Sequence, residues 1–362
     1  AASDVYKRQV VGVTGSVGKS STKEMIAAAL SQGKRVHKTA GNYNSQIGLP
    51  LTVFGLDHTH EIAVIEMGMS NFGEMERLSA IASPTSAVVT NIGISHIEQL
   101  KTQENIRAEK LHIADTIGEQ GALYLNGDDP LLQQLRESYT GKIVWYGMES
   151  DCDYQAVNID TVKDCTRFEL HAPFGAHKIM IPALGLHNVS NALAAIAVAY
   201  DQGLTLDDIR CGLLTYEGLA MRQQIHELDK ITVIDDSYNA SPDSIKSGIG
   251  VLMAVKSTGK KIAVLADMLE LGERSAQAHL ELGAYAAASG VDAVVTVGRE
   301  AEKIAEGAAE ESRKILVKAC GTNDEAFAEL EKILNDGDSV LVKGSRGMHT
   351  DEIVQKLLTK YQ

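Results

Sequence analysis

The residues whose spacing most clearly encodes chemistry come early in the chain: Thr14-Gly15-Ser16-Val17-Gly18-Lys19-Ser20-Ser21, between an apolar run and an amphipathic one. A glycine-rich turn from strand into helix gathers several backbone N–H groups around one point. It also aims the positive end of the helix dipole there, which suits an anion. Lys19 adds a positive charge for β- and γ-phosphates, and the Ser20 hydroxyl suits a Mg²⁺ shell. The strict phosphate-loop template wants glycine where Val13 stands, so the fit is to a shorter variant, Thr-Gly-x-x-Gly-Lys-Ser. Gly12, Gly15 and Gly18 also space like a loose dinucleotide loop. That reading needs an acidic residue about 20 positions on, and Val36-His37-Lys38-Thr39-Ala40 offers none. A purely structural turn would leave Lys19 and Ser20 without a task, so nucleotide phosphate is the favoured ligand class.

Weaker candidates stand where apolar runs end. Glu66 closes Ile62–Glu66; beside a phosphate loop it is a candidate Mg²⁺ ligand or water holder, and otherwise an ordinary strand-end carboxylate. His96 ends Asn91-Ile92-Gly93-Ile94-Ser95-His96, and a lone histidine is more often structural. Lys110 falls in a helical stretch, where a lysine is normally solvated. Gly41-Asn42-Tyr43-Asn44-Ser45 is a polar loop that could contact phosphates or simply turn the chain. Asn188 and Asn191 could cap a helix or read an adenine edge. Asp236, in Asp235-Asp236-Ser237-Tyr238-Asn239, could take ribose hydroxyls, and Lys343-Gly344-Ser345-Arg346-Gly347 could hold an anion.

These groups need elements to carry them. The pattern predicts strands over 9–13, Ile62–Glu66, Ala87–Asn91, Ala122–Asn126 and Ile143–Tyr146. Helices are predicted over Ser20–Leu30, Gly73–Ile81, Glu104–Ile117 and Pro130–Glu137. Strands alternating with helices point to a parallel sheet. Short antiparallel strands follow at Tyr154–Ile159, Thr166–His171 and Lys178–Ile181, with a turn at Pro173-Phe174-Gly175. An alanine-rich helix spans Asn188–Tyr200, and Thr205 opens another. Near Gly218–Gln224 the pattern resets. Five strand–helix units come after it, with strands at Ile231–Asp235, Lys261–Ala266, Ala293–Val297, Lys314–Val317 and Ser339–Val342. The expected fold class is therefore α/β. It comprises a leader over 1–9, a central ATP-binding domain over 10–220 with a mainly parallel sheet and a small antiparallel section, and a doubly wound Rossmann-like domain over 221–362.

With 362 residues and 44% apolar content, the chain can build two cores. A net charge of −14 argues against non-specific binding to nucleic acid or anionic membranes. Cys152, Cys165, Cys211 and Cys320 stand far apart, which suggests neither zinc nor a disulfide framework. No apolar run reaches about 18 residues and no signal peptide is visible, so a cytosolic protein without membrane insertion is expected.

Taken together the motifs resemble one family, the Mur ligases, ATP-dependent amide-forming enzymes of peptidoglycan synthesis. The resemblance rests on the 14–20 loop, Glu66-Met67-Gly68, Thr90-Asn91-Ile92-Gly93 with His96, and His187-Asn188-x-x-Asn191-Ala192. Asp236-Ser237-Tyr238-Asn239-Ala240-Ser241-Pro242, Asp267-Met268-Leu269-Glu270-Leu271-Gly272 and Lys343–Gly347 look like the branch that adds D-alanyl-D-alanine. The resemblance covers 10–362. It implies that ATP phosphorylates the terminal carboxylate of UDP-N-acetylmuramoyl tripeptide and that the amine of D-alanyl-D-alanine attacks the acyl phosphate. It also implies that Lys19 and the amides of Thr14, Gly15, Ser16, Val17, Gly18, Ser20 and Ser21 hold phosphates. By the same resemblance Ser20 and Glu66 hold one Mg²⁺, and His96 with a carbamylated Lys110 helps hold a second. Asn188 and Asn191 are carried over as adenine-side contacts, and Arg222 and Asp236 as phosphate and ribose contacts. Two departures stand out: His112 sits where the family more often has Glu, and an amino-terminal domain for the UDP end is expected to be lacking. A monomer is expected. The rivals are a folate-polyglutamating ligase, against which the 236–242 motif argues, and a nucleotide-binding switch without ligase activity.

Overall fold

The computed structural model describes residues 8–149 and 151–362, and the chain divides into two compact units, up to Glu217 and from Gly218. Of the expected leader, residues 1–7 lie outside the described residues, whereas Arg8 and Gln9 belong to the fold. Arg8 is buried and its guanidinium donates to the Asp57 carbonyl; Gln9 opens the first strand.

Among the described residues of the first unit, nine strands form one sheet. They are β1 (Gln9–Thr14), β2 (Val36–Lys38), β3 (Ile62–Glu66), β4 (Ser86–Val89), β5 (Ala122–Asn126), β6 (Lys142–Gly147), β7 (Tyr154–Val162), β8 (Cys165–Ala172) and β9 (Gly175–Ile181). Their order is β2-β3-β1-β4-β5-β6-β7-β8-β9. Pairing is parallel up to β7 and antiparallel through β8 and β9, so the antiparallel section extends the same sheet. β1, β3 and β4 are Val-, Ile- and Ala-rich and almost wholly buried, as strands covered on both faces must be. Alternation sends Val11 and Val13 to the face covered by the helices Lys19–Leu30 and Leu186–Asp201. Val10 points to the face covered by Glu74–Ala82 and Gln103–Leu111.

The second unit has β10 (Gln224–Glu227), β11 (Thr232–Asp236), β12 (Lys261–Ala266), β13 (Ala293–Val297), β14 (Leu316–Cys320) and β15 (Ser339–Lys343), in the order β10-β11-β15-β12-β13-β14. All pair in parallel except β10, an antiparallel edge. The helix Pro242–Ala254 lies against β15 where Gly248 meets Leu341, and Ser275–Ala288 packs beside it. Asn323–Ile333 and Asp351–Tyr361 cover the other face through Leu330, Ile353 and Leu357, against Val340 and Val342. β11 and β12 therefore feed helices on one face while β15, between them, feeds the other. That is a topological switch, the point at whose carboxyl end open α/β sheets place their ligand crevice.

Differences from the sequence reading have local causes. β2, β10 and the helix Gly48–Phe54 were not expected. β2 and β10 are short, polar edge strands that only their neighbours' backbone groups define. The strand expected at Lys314–Val317 runs instead over Leu316–Cys320. The helix expected over Glu104–Ile117 ends at Leu111 and continues as one 3₁₀ turn, His112–Ala114. Among the described residues no helix is long and apolar enough to cross a membrane.

Candidate active site

At the carboxyl end of β1 the chain turns through Gly15 (φ 148°) and Gly18 (φ 86°) into the helix Lys19–Leu30. A Cβ on Gly15 would lie 1.8 Å from the Thr90 hydroxyl, so the loop passes directly over the end of β4. Asn91 fixes that approach: its side-chain oxygen accepts from the amides of Ser16 (3.0 Å) and Val17 (2.8 Å). In return the Ser16 hydroxyl accepts from the Gly93 amide at 2.9 Å. Lys19 Nζ donates to the Gly15 carbonyl at 2.8 Å and to that of Ser16 at 3.3 Å, which holds the ammonium over the loop. Ser20 is buried at the first turn, beside the half-buried Ser21.

Glu66, at the end of β3, is 1% exposed. Its Oε1 accepts from Asn44 at 2.7 Å and its backbone N–H donates to the Thr39 hydroxyl at 2.9 Å. Oε2 is buried without a hydrogen bond, and the nearest charge is Lys23 Nζ at 3.8 Å. Lys23 is fully buried, donates to the Thr39 carbonyl at 2.7 Å and pairs with Glu24 at 3.0 Å. Sequence reasoning passed over Lys23. Its signal was a lysine inside the helical stripe Lys23, Ile26, Ala27, Leu30, all of them buried.

Lys110 overturns the ordinary expectation for a helix lysine. It is 2% exposed and its Nζ donates to the Gly15 carbonyl at 3.0 Å, so it reaches the phosphate loop from below. Burial, and then the nearby Lys19 ammonium, push its pKa well below the usual lysine value; Glu109 opposes them. Glu109 is itself buried and accepts from the amides of Gly73 and Met75 at 3.0 and 2.9 Å, which clamps the helix that carries Lys110. His112 turns outward to pair with Asp115 at 2.8 Å. His96 is half-buried with left-handed backbone (φ 62°), on a loop that Asp129 ties down by accepting from the Ile92 amide at 2.7 Å. Asp129 is a further residue that the sequence reading did not single out.

Neither Asn188 nor Asn191 caps the alanine-rich helix, which begins at Leu186 after Gly185. Asn191 Oδ1 instead accepts from the Thr22 hydroxyl at 2.8 Å. Its amide nitrogen donates to Asn188 Oδ1 at 3.1 Å, and Asn188 donates to the Leu184 carbonyl at 2.9 Å. This buried ladder locks the phosphate-loop helix to its neighbour.

In the second unit Asp236 and Lys343 stand opposite each other on β11 and β15 and form a buried pair at 2.7 Å. Burial raises the Asp236 pKa against the pull of Lys343, and burial lowers that of Lys343. Lys343 also donates to the Asn239 carbonyl at 2.9 Å. Half-buried Arg222 lies 4.1 Å over the Tyr238 ring. Ser345 bridges to the loop after β12: its amide donates to the Asp267 carbonyl at 3.2 Å and its hydroxyl accepts from Leu269 at 2.9 Å. These segments border the switch crevice.

Against known families, residues 13–199 match the Mur ligase middle domain and residues 221–346 the Mur ligase glutamate ligase domain. The chain belongs to the Mur ligase family. It is 41% identical over 351 residues to the UDP-N-acetylmuramoyl-tripeptide--D-alanyl-D-alanine ligase of Bacillus subtilis, covering 97% of this chain and 76% of that one. It superposes on MurF from Acinetobacter baumannii with a TM-score of 0.91 at 32% identity, covering 99% of this chain and 78% of the other. A MurF ligase from Thermotoga maritima, solved in complex with ADP, gives 0.89 at 30% identity, covering 99% and 82%. In this Mur ligase the two matched segments fall one in each compact unit, which is how the family's parts map onto the chain.

Proposed function

We propose that this chain is an ATP-dependent ligase that joins D-alanyl-D-alanine to UDP-N-acetylmuramoyl tripeptide through an acyl phosphate, in cytoplasmic peptidoglycan precursor synthesis, acting as a monomer. The domain extents we propose are 10–220 and 221–362. The observation that carries the reading is the convergence of Lys19 and Lys110 on the Gly15 carbonyl of the phosphate loop, with Glu66 closing the neighbouring strand.

The loop amides and Lys19 would draw negative charge off the γ-phosphoryl group as it transfers to the carboxylate, and a positioned cation is worth most where it meets developing charge. Mg²⁺ fits the residues present. Glu66 Oε2 is a buried acceptor without a hydrogen-bond donor, and the Ser20 hydroxyl stands at the first helical turn. Among the described residues no three His, Cys, Asp or Glu side chains form a ready cage. Mg²⁺ tolerates that, because it commonly takes one or two carboxylates and completes its shell with phosphate oxygens and water. When bound, the ions would neutralise phosphate charge; Ser20 and Glu66 would hold one, and His96 with Lys110 a second. Lys110 suits carbamylation. Its buried amine, disfavoured as an ammonium, can add to carbon dioxide with loss of a proton and become an oxygen ligand. Arg222 is the proposed phosphate contact in the second unit. Asp236 is the proposed ribose contact, its carboxylate held in place by Lys343. Asn188 and Asn191 would contribute to the adenine side mainly by fixing the helix. The amine we assign to the crevice beside β15.

The test is product analysis with ATP, the sugar-nucleotide tripeptide labelled with ¹⁸O in its terminal carboxylate, and D-alanyl-D-alanine. The expected products are the pentapeptide, ADP and phosphate carrying one ¹⁸O. Hydrolysis of ATP without amide product would favour the switch instead.

A further inference from the structure

His279 takes no part in the reaction outlined above, yet it is fully buried and both its ring nitrogens are engaged. It sits in the helix Ser275–Ala288, which follows β12. Nδ1–H donates to the Ser275 carbonyl at 2.7 Å, and Nε2 accepts from the Met268 amide at 2.9 Å. Only the neutral ring with its proton on Nδ1 satisfies both partners. The first bond is local to the helix, whereas the second reaches out to the loop Asp267–Gly272.

That loop needs anchoring. Glu270 has left-handed backbone (φ 64°), a conformation that is strained in a non-glycine residue and persists only when its surroundings impose it. Met268 and Leu271 are buried and Asp267 accepts from the Ala301 and Ser345 amides, whereas Leu269 between them is 46% exposed. Two side chains fix the amides in the middle of the loop: His279 accepts from Met268, and the Ser345 hydroxyl accepts from Leu269 at 2.9 Å. A Cβ on Gly347 would come within 3.2 Å of the Leu269 side chain, so the loop lies directly against the segment after β15. It is thus one wall of the switch crevice.

We infer that His279 is a positioning residue for the acceptor amine: its imidazole fixes the Asp267–Gly272 wall of the crevice without touching substrate. The inference rests on the reading that this crevice receives the amine. His279→Gln and His279→Asn separate the two ring contacts. Glutamine is long enough to place an acceptor near the Met268 amide. Asparagine reaches only the helix-side carbonyl and leaves the Met268 amide unpaired, at a cost equivalent to roughly tenfold in an equilibrium constant.

The first measurement, amide hydrogen exchange on the whole chain, does not depend on activity. With His279→Asn, exchange at Met268 and Leu269 should speed up on the order of tenfold while β12 stays protected, and His279→Gln should stay near the parent. The second is amide formation with varied D-alanyl-D-alanine. His279→Asn should raise the KM for the dipeptide by a similar factor, with kcat and the KM for ATP little changed, and His279→Gln should restore it. Unchanged exchange in His279→Asn, or equal losses in both variants across all parameters, would overturn the positioning role. Faster exchange with an unaltered dipeptide KM would remove the loop from the acceptor site. No amide product from the parent would bring down the underlying reading, and the exchange data would show that separately.

Discussion

Three lysines of one charge and similar length do different work here because their surroundings differ. Lys19 is half-buried and its ammonium donates to loop carbonyls, so its removal should leave packing intact. Lys19→Ala is expected to abolish ATP turnover while shifting the melting temperature by no more than about 2 °C; near-normal turnover would remove the centre of the proposed chemistry. Lys110 behaves oppositely. Burial sets its folded pKa below that of the unfolded chain, so between the two values the unfolded state binds more protons and stability rises with pH. At neutral pH the lysine is therefore a cost. In CO₂-free buffer Lys110→Met should raise stability, by about 1 kcal/mol, and still lose amide formation. Lys110→Ala should regain some activity with acetate or formate, which can supply a carboxylate. A destabilised methionine variant would contradict the charge argument, and failure of both small acids, with no bicarbonate dependence in the parent, would contradict the carbamate. Lys23 was legible only as a charged residue in an apolar stripe; that it faces Glu66 depends on β3, about 40 positions on by the chain numbering.

Among the elements, the phosphate loop is held by contacts with β4 and the loop after it. Gly15 combines a positive φ with a β-carbon position 1.8 Å from the Thr90 hydroxyl. Gly15→Ala should therefore cost about 2–4 kcal/mol and abolish nucleotide binding, because strain and overlap act at the same atom. Denaturant midpoint and nucleotide titration would check this, and a variant matching the parent in both would show that the loop can move aside. The helix Lys19–Leu30 was readable from its apolar spacing, and β1, β3 and β5 from their runs of Val, Ile, Leu and Ala. β2 and β10 were not, since Val36-His37-Lys38 and Gln224-Ile225-His226-Glu227 carry no apolar run and become strands only by pairing with β3 and β11.

At the scale of the whole molecule, each unit has its own sheet and its own core, and among the described residues no strand belongs to both sheets. A fragment from Gly218 to Gln362 should therefore fold alone, with a single cooperative thermal transition and dispersed amide resonances. A non-cooperative melt would show that its core, centred on Val264, Val295 and Val342, is insufficient by itself. The net charge of −14 spreads over the whole chain, and the basic groups of the first unit's site, Lys19, Lys23 and Lys110, are concentrated around one loop and one strand end.

What the sequence determined by itself was local: a glycine-rich turn with Lys19 and Ser20, strands alternating with helices, and a reset near residue 218. Those features follow from backbone preference and from hydrophobic period within a few residues, which a chain carries wherever it folds. Tertiary structure alone decided which charges meet. Lys110 reads as a surface lysine until Gly15 is brought over it. Asp236 reads as a solitary strand-end carboxylate until parallel pairing sets Lys343 opposite. His279 reads as one more helix residue until the loop after β12 turns its Met268 amide back onto the ring. The state of a buried ionisable group depends on neighbours distant in the chain and on how much water they exclude, and neither is written in its own segment.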